Sequence, residues 1–216
     1  MKLTDFKKQI IIYGNNMIKE GLTTASGGNI SVRVPGDNSM YITPSGMDYS
    51  TLTADNIVKT SFDGNYDLEG NKPSSEWSMH SILYENRENC NAVVHTHSPY
   101  LTTLACLGKA LPAIHYLVAS SGLEEVPIAP YRPFGTIELA EAAHNFMGEG
   151  KAVILEHHGL ICYSDSLGKA MDIARELEFC AKVYINALQV KEDVPILSHE
   201  EMLDVLARFQ NYGQGR

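Results

Sequence analysis

The chain has 216 residues, of which 44% are hydrophobic and 20% charged, and 17 basic against 26 acidic residues give a formal net charge of −9. This composition is typical of one globular domain, so a disordered, collagenous or wholly coiled-coil chain is excluded. The acidic balance disfavours binding to nucleic acid, whose phosphates would repel it, and no apolar run approaches the ~20 residues that cross a bilayer.

Hydrophobic periodicity and turn residues predict the elements in the first half of the chain. Apolar residues at helical spacing, followed by Gly21 as a C-terminal cap, predict the first helix. In Pro73-Ser74-Ser75-Glu76 we expect serine to cap a later helix, with an acid in its first turn. The predicted elements are a helix over 3–20, a hairpin over 30–42, a strand over 57–62 and a helix from this sequence to about Glu88.

The second half alternates between buried-type strands and helices. The Ser198-His199-Glu200-Glu201 sequence matches a capping box at the start of the last helix. The predicted elements are strands over 91–97 and 151–155, and helices over 99–108, 136–147, 167–190 and from the capping box to about Phe209. Because strict βαβ alternation is absent, we expect an α/β protein of α+β type, with a central, mostly antiparallel sheet flanked by helices on both sides in three layers. We expect one domain over 1–216, with a mobile tail from about residue 210.

The cysteines and the start of the chain bear on cellular location. The four cysteines, at positions 90, 106, 162 and 180, show no CxxC spacing, which favours reduced thiols. The apolar run Ile10–Tyr13 is too short for the core of a signal peptide. We therefore expect a cytoplasmic protein without a membrane segment.

Histidines at the ends of two predicted strands indicate a metal site. His95 and His97 are two residues apart, so they face the same side of a strand and form a chelating pair, although hydrogen-bonded core histidines would fit equally well. The second strand ends in His157 and His158, of which only one can join the pair, and the sequence parity does not say which. Three imidazoles with one open position are the pattern of a catalytic zinc site.

An anionic fourth ligand is expected from Glu76, at the predicted helix start. The alternative for Glu76 is a first-turn acid that merely favours the helix dipole. His80 lies four residues on and therefore on the same helical face. It is a rival ligand, but hydrogen bonding behind the ligands or a plain surface role is favoured.

Small, hydroxyl-rich turns suggest an anion site. They lie at Ser26–Asn29, Thr43–Gly46 and Ser74-Ser75, where backbone N–H groups and hydroxyls can hold an anion. Each turn alone is weak support, because Gly/Ser turns are usually only turns. Together, in an acidic chain beside a metal candidate, they predict a phosphate held by neutral donors.

Several segments, spread in order over nearly the whole chain, resemble the zinc-dependent class II aldolase/epimerase family, and most closely its branch acting on L-fuculose 1-phosphate. The segments are SGGNIS (26–31), ITPSGMDY (42–49), LEGNKPSSEW (68–77), NAVVHTHS (91–98), PAIHY (112–116), APYRPFGT (129–136), LEHHGL (155–160) and FQNYG (209–213). The resemblance implies one Zn²⁺ per subunit, and it chooses His158 over His157. The implied metal ligands are Glu76, His95, His97 and His158.

The resemblance also implies the remaining site residues and the assembly. The implied phosphate site consists of Gly28, Asn29, Ser45, Gly46, Ser74 and Ser75. Tyr116 and Tyr212 would be catalytic, and Phe134 would line the pocket for the methyl group of the aldehyde. The implied assembly is a homotetramer with active sites between subunits, so that Tyr116 acts across the boundary. Ser26 and Ser45 stand where threonine is common, and Arg132 and Pro133 lie in the loop near the aldehyde end.

The activity implied by the resemblance is reversible cleavage of L-fuculose 1-phosphate, or a close ketose 1-phosphate, to dihydroxyacetone phosphate and L-lactaldehyde through an enediolate. Dihydroxyacetone phosphate would displace Glu76 from the metal and make it the base for the C3 proton. The alternatives are L-ribulose-5-phosphate 4-epimerase and other class II sugar-phosphate aldolases or dehydratases. The neutral run 117–122 favours the aldolase, since the epimerase should carry an acid there. A non-catalytic zinc scaffold would lack a ligand or the base, and all four residues are present.

Overall fold

The structure is a computed structural model that describes residues 3–210, and it contains both strands and helices. The strands are β1 (Asn29–Arg33), β2 (Ser39–Ile42), β3 (Val58–Ser61), β4 (Ala92–Thr96), β5 (Ile128–Ala129), β6 (Ala152–Leu155) and β7 (Gly159–Ser164). The helices are α1 (Leu3–Lys19), α2 (Trp77–Asn86), α3 (Pro99–Cys106), α4 (Ile137–Met147), α5 (Leu167–Val190) and α6 (His199–Gln210), with 3₁₀ turns at Tyr49–Thr51 and Tyr116–Ser121.

The strands form one seven-stranded sheet in the order β3-β2-β1-β4-β7-β6-β5. Every neighbouring pair is antiparallel except β5 and β6, which run parallel. The expected α/β architecture with a mostly antiparallel sheet is confirmed.

Helices cover both faces of the sheet, and the alternation of strand residues divides the core in two. Val94 packs on one face in a cluster that includes Ile10 of α1 and Leu177 of α5. Val93 points to the other face, in a cluster with Leu83 of α2 and Leu139 of α4. The result is the expected three-layer arrangement. Within residues 3–210, no helix is long and apolar enough to cross a membrane.

The N-termini of α6 and α2 can be compared with the caps predicted for them. At α6, Glu201 accepts from the Ser198 N–H at 2.7 Å and its own N–H donates to Ser198 Oγ at 3.3 Å, which confirms the capping box. The cap expected at α2 is wrong: Glu76 is the N-cap residue and makes no side-chain cap bond. Ser74 Oγ instead accepts the Glu76 N–H at 3.3 Å, and α2 ends at Asn86 rather than Glu88.

Strand β7 is a central strand that the sequence analysis missed. Its six residues, Gly159–Ser164, are all buried, so the polar alternation that marks a half-buried strand is absent. β7 pairs with β4 on one side and with β6 on the other. It therefore brings the histidine-rich turn at residues 156–158 against the end of β4.

The first prediction concerns Gly159, where β7 leaves this turn. A Cβ at this position would collide with the carbonyl oxygen of Thr96 on β4. Gly159→Ala is expected to destabilise the chain by about 1–3 kcal/mol, as overpacking does, and to lower Tm in a thermal melt. In the control, Gly70→Ala, the added Cβ meets nothing nearer than 3.4 Å. Equal Tm values for the two variants would contradict this packing constraint.

Candidate metal centre and substrate cavity

The four predicted ligands converge from three parts of the fold. His95 lies on β4 and His97 just beyond its end, on the same side of the strand by alternation. His158 ends the turn before β7, and Glu76 immediately precedes α2. One ligand atom from each of these residues lies within 4.8 Å of all the others.

The distances within this cluster fit one tetrahedral cation. His95 Nε2 lies 2.9 Å from His97 Nε2 and 3.2 Å from His158 Nε2. Glu76 Oε2 lies 3.2 Å from His95 Nε2, and Glu76 Oε1 lies 3.2 Å from His158 Nε2. Ligands bound at zinc distances to one tetrahedral ion are about 3.3 Å apart. The donor set therefore fits a divalent metal. The four side chains have the arrangement that the resemblance to class II aldolases implies for a metal site.

Sequence parity could not say whether His157 or His158 joins the cluster, and the structure places His158 there. His157 is absent from the cluster and has a left-handed backbone, with φ of 55°. Its N–H donates to the carbonyl of Ala105 at 3.2 Å. The sharp turn therefore separates two adjacent imidazoles, one toward the cluster and one along the cavity wall.

Protonation in the cluster also suits a cation. The His95 Nδ1–H donates to the Leu160 carbonyl at 2.8 Å, which leaves the Nε2 lone pair free to coordinate. Burial would raise the pKa of Glu76, but the imidazoles of His95 and His158 outweigh it and hold that pKa far below its usual range. Burial, reinforced by His95 and His158, lowers the pKa of His97 to about 3. An ionised carboxylate and neutral imidazoles are the forms that bind metal.

His80 lies behind the ligands rather than among them. Its side chain is fully buried, so a surface role is excluded. Its Nε2 lies 2.5 Å from Asn29 Oδ1, and Asn29 Nδ2 donates to Glu76 Oε2 at 2.9 Å. The structure thus shows the hydrogen-bonding arrangement that was favoured over a ligand role for His80.

A cavity of about 380 Å³ opens in front of the cluster. Its volume is in the range of small-molecule sites. All of the predicted substrate-binding residues line it, namely Gly28, Asn29, Ser45, Gly46, Ser74, Ser75 and Phe134. Glu76, His97 and His158 also reach this cavity, so the metal candidate and the small-residue turns share one space.

The hydroxyl-rich turns are held together by backbone hydrogen bonds. Ser45 N–H donates to the Lys72 carbonyl, and Ser74 N–H donates to the Thr43 carbonyl, both at 3.0 Å. The backbone of Gly28 is left-handed, with φ of 66°, and a Cβ there would lie 2.5 Å from the His95 carbonyl oxygen. The turns therefore form a fixed wall of small residues, with neutral donors available to an anion.

The loop over 130–136 also borders the cavity. Phe134 on this loop is 74% exposed. A Cβ on Gly135 would lie 3.2 Å from the Ser75 carbonyl oxygen, so the end of the loop lies against the turn at Ser75. Arg132 lines the cavity as well, and its place near the aldehyde end stays a prediction.

The two predicted catalytic tyrosines are not brought to the cavity of their own chain. Tyr116 begins a 3₁₀ turn, is 50% exposed and does not line the cavity. Its ring lies 4.5 Å from that of His115 and 6.5 Å from that of Phe209. Tyr212, like the tail expected to be mobile, lies outside the described residues. The catalytic roles of both tyrosines stay predictions.

Two cavity residues were missed by the sequence-based set. Tyr131 and His157 line the cavity, and their rings lie 6.1 Å apart in an edge-on arrangement. The Tyr131 N–H donates to Glu156 Oε2 at 2.8 Å, which ties the loop that carries Tyr131 to the histidine turn. The sequence carried no signal for His157 in the wall, because strand parity places adjacent residues on opposite sides and the left-handed backbone of His157 is visible only in the structure.

Comparison with known proteins identifies relatives along the whole described chain. The family model for the class II aldolase and adducin N-terminal domain matches residues 8–185. The chain is 42% identical over 215 residues to a Bacillus thuringiensis serovar kurstaki protein named 5-deoxy-D-ribulose 1-phosphate aldolase, covering 99% of this chain and 100% of that protein. It is 40% identical over 213 residues to L-fuculose phosphate aldolase of Escherichia coli K12, covering 99% of this chain and 98% of that protein.

The fold has an equally close counterpart among solved structures. A structure named L-fuculose 1-phosphate aldolase matches with a TM-score of 0.92 and 38% sequence identity. The match covers 97% of this chain and 98% of that one. Sequence and fold therefore agree on one group of relatives.

The adjacent histidines supply a matched test of the metal cluster. His158→Ala removes a ligand atom and is expected to lose most of the bound metal, whereas His157→Ala keeps all four ligands and is expected to retain it. Metal per chain is measured by elemental analysis after gel filtration of both variants. Loss of metal from His157→Ala with retention in His158→Ala would overturn the assignment.

Proposed function

Because the chain belongs to the family of class II aldolases and adducin N-terminal domains and is a class II aldolase, we propose that it cleaves a deoxy-ketose 1-phosphate reversibly between C3 and C4. The products are dihydroxyacetone phosphate and a short methyl-terminated aldehyde. The observation that carries the proposal is the shared space of the cluster and the hydroxyl-rich turns. A substrate with its phosphate on those turns places its carbonyl and hydroxyl oxygens toward Glu76 and the histidines.

We propose L-fuculose 1-phosphate as the substrate, with L-lactaldehyde as the aldehyde product. The relative from Escherichia coli is named for this activity. The Bacillus relative is named for 5-deoxy-D-ribulose 1-phosphate, which makes that sugar the second candidate, with acetaldehyde as its product. Both sugars have the same phosphate-bearing half and a terminal methyl group, so Phe134 at the open end of the cavity suits either aldehyde.

At the phosphate end, neutral groups do the binding. Backbone N–H groups of Gly28 and Gly46, together with the hydroxyls of Ser45 and Ser75, provide donors without a buried lysine. Fixed donors of this kind orient the substrate as well as bind it, because the turns are hydrogen-bonded to each other.

Bound at Glu76 and the three histidines, a divalent cation, which we propose to be zinc, supplies Lewis-acid stabilisation of negative charge on the substrate oxygens. In the condensation direction, Glu76 removes a proton from the hydroxymethyl carbon of dihydroxyacetone phosphate. The electron pair left on that carbon forms the new C–C bond with the aldehyde carbon. The aldehyde oxygen takes a proton from Tyr116 of a neighbouring subunit, and cleavage reverses each step.

Glu76 is built for this proton transfer. Its Oε2 accepts the Asn29 amide at 2.9 Å, and its Oε1 lies 3.2 Å from His158 Nε2. One carboxylate oxygen is therefore held by Asn29, and the other lies at the metal cluster that borders the cavity. A carboxyl group with its ordinary pKa is already ionised at neutral pH, as a general base requires.

Assembly and location complete the proposal. Tyr116 is exposed and outside its own cavity, which supports the proposed homotetramer with an active site between subunits. We also propose that residues 1–216 form one domain and that Tyr212 acts as part of a lid. The proposed location is the cytoplasm, and the proposed role is in fucose metabolism. The epimerase remains the alternative within the family, and the neutral residues 117–122 disfavour it.

The central test is an assay of the purified protein on a panel of sugar phosphates. L-fuculose 1-phosphate is expected to give dihydroxyacetone phosphate and L-lactaldehyde, measured by a coupled dehydrogenase and by aldehyde trapping. A chelator should abolish the reaction and Zn²⁺ should restore it. Faster turnover of 5-deoxyribulose 1-phosphate would select the second candidate. Interconversion of L-ribulose 5-phosphate without cleavage of either deoxy sugar would replace the aldolase by the epimerase.

A second test addresses the base. Glu76→Gln removes the proton acceptor and is expected to lower kcat by about 10²–10⁴-fold, the range of general base catalysis, while the fold is retained. Glu85→Gln, an exposed acid on the same helix, serves as the control. Turnover is measured at saturating substrate, with metal content determined in parallel. Turnover of Glu76→Gln equal to that of the control would remove Glu76 from the mechanism.

A further inference from the structure

A chain of buried hydrogen bonds lies behind the metal cluster and ends on Glu76. Tyr84 OH lies 2.7 Å from Ser31 Oγ, and Ser31 Oγ lies 2.6 Å from His80 Nδ1. His80 Nε2 lies 2.5 Å from Asn29 Oδ1, and Asn29 Nδ2 lies 2.9 Å from Glu76 Oε2. The side chains of Ser31 and His80 are fully buried, so bulk water cannot substitute for these partners.

The donor and acceptor of each bond in this hydrogen-bond chain can be assigned by starting from the bond between Asn29 and Glu76. The structure places the amide nitrogen of Asn29, and not its oxygen, 2.9 Å from Glu76 Oε2, so Asn29 is the donor of this bond. The other amide atom, Oδ1, is then an acceptor, and His80 Nε2 must carry the proton. Burial lowers the pKa of His80 to about 3, so the ring is neutral and its Nδ1 is a bare acceptor. Ser31 therefore donates to His80.

The direction of the first hydrogen bond, between Tyr84 and Ser31, can also be assigned. The single hydroxyl proton of Ser31 is committed to His80, so Ser31 Oγ accepts from the Tyr84 hydroxyl. Burial raises the pKa of Tyr84 well above its usual value, which keeps that hydroxyl protonated. All four hydrogen bonds thus point the same way, from Tyr84 toward Glu76.

The hydrogen-bond chain joins residues of β1 to residues of α2, and the residue spacings along the strand and along the helix nearly match. Asn29 and Ser31 are two residues apart on β1 and face the same side, with a separation of about 6.6 Å along the strand. His80 and Tyr84 are four residues apart on α2, one turn and about 6 Å along the helix. Because the two spacings nearly agree, one face of α2 aligns with one face of β1.

We propose that His80 is a positioning residue of the active site, which donates its Nε2–H to Asn29 and thereby fixes which way the Asn29 amide faces. In this orientation one amide N–H holds Glu76 Oε2, and the second N–H is presented to the substrate in the cavity that Asn29 lines. The inference rests on the proposed function for the meaning of that second contact. It assigns His80 no contact with the metal or the substrate.

The fixed amide has a specific consequence. A reversed Asn29 would place its carbonyl oxygen against the Glu76 carboxylate, acceptor against acceptor, and would offer the substrate one donor fewer. Glu76 would lose the bond that holds Oε2, and its carboxylate would no longer be fixed in one orientation. His80 therefore acts on turnover through the orientation of two other side chains.

The direct test is neutron diffraction from a deuterium-exchanged crystal of the metal-loaded enzyme. The expected map shows a deuteron on His80 Nε2 and none on Nδ1, with the ND₂ group of Asn29 facing Glu76. A deuteron on Nδ1, or the amide oxygen of Asn29 facing Glu76, would overturn the proposal. This measurement uses the unmodified protein and needs no variant to fold.

Kinetics supply the functional half of the test. His80→Leu removes the donor and is expected to lower kcat about 10–100-fold, the usual effect of losing a hydrogen-bond partner behind a metal site. His80→Gln places an amide N–H near the former Nε2 and is expected to recover most of that loss. Ser81→Ala, a buried residue of the same helix whose hydroxyl has no partner within residues 3–210, is the control for disturbed packing.

The outcomes separate this inference from the proposed function. A wild-type enzyme that cleaves no sugar phosphate removes the proposed function and, with it, the role assigned to the second N–H. An active wild type in which His80→Leu turns over normally, or in which His80→Gln is as impaired as His80→Leu at equal Tm, overturns the positioning role alone. Rescue by glutamine together with a deuteron on Nε2 supports it.

Discussion

The antiparallel pairing of β4 with β7 is the constraint on which the site depends. It places His95 opposite Ile161 and Thr96 opposite Leu160, and the Leu160 carbonyl accepts the His95 Nδ1–H. A slip of one residue would turn His95 to the opposite face of the sheet. The same pairing draws the turn at 156–158 to the end of β4. One register thus fixes the tautomer of one ligand and the position of another.

The cluster concentrates polar groups where burial makes unpaired ones costly. A carboxylate and three imidazoles lie within 4.8 Å, and buried networks of this kind stabilise the fold only when each member has a partner. The Asn29 amide satisfies one oxygen of Glu76, and a cation would satisfy the remaining lone pairs. A cation bound here would therefore couple metal binding to folding.

Periodicity in the sequence is enough to predict the long elements and the same-side placement of His95 and His97. The helix over 167–190 has the predicted bounds. The fully buried β7 could not be recognised, because its apolar run carries no alternation. The choice of His158 required the resemblance, since the backbone of the turn, with its left-handed His157, is set by tertiary contacts. The alignment of His80 with Asn29 depends on packing between distant segments, which no local pattern contains.

The loop over 130–136 is held in place at two positions and is exposed between them, unlike the segments that carry the metal ligands. It is tied down at Tyr131 and at Gly135, while Phe134 between them is largely exposed. The side chain of Phe134 can therefore change without disturbing the β4–β7 register, whereas a side chain at Gly135 would press on Ser75. Under the proposed function, the end of the cavity that receives the aldehyde can therefore diverge separately from the metal ligands. A gene duplicated from this one would then need changes in only a few loop codons to act on a new aldehyde.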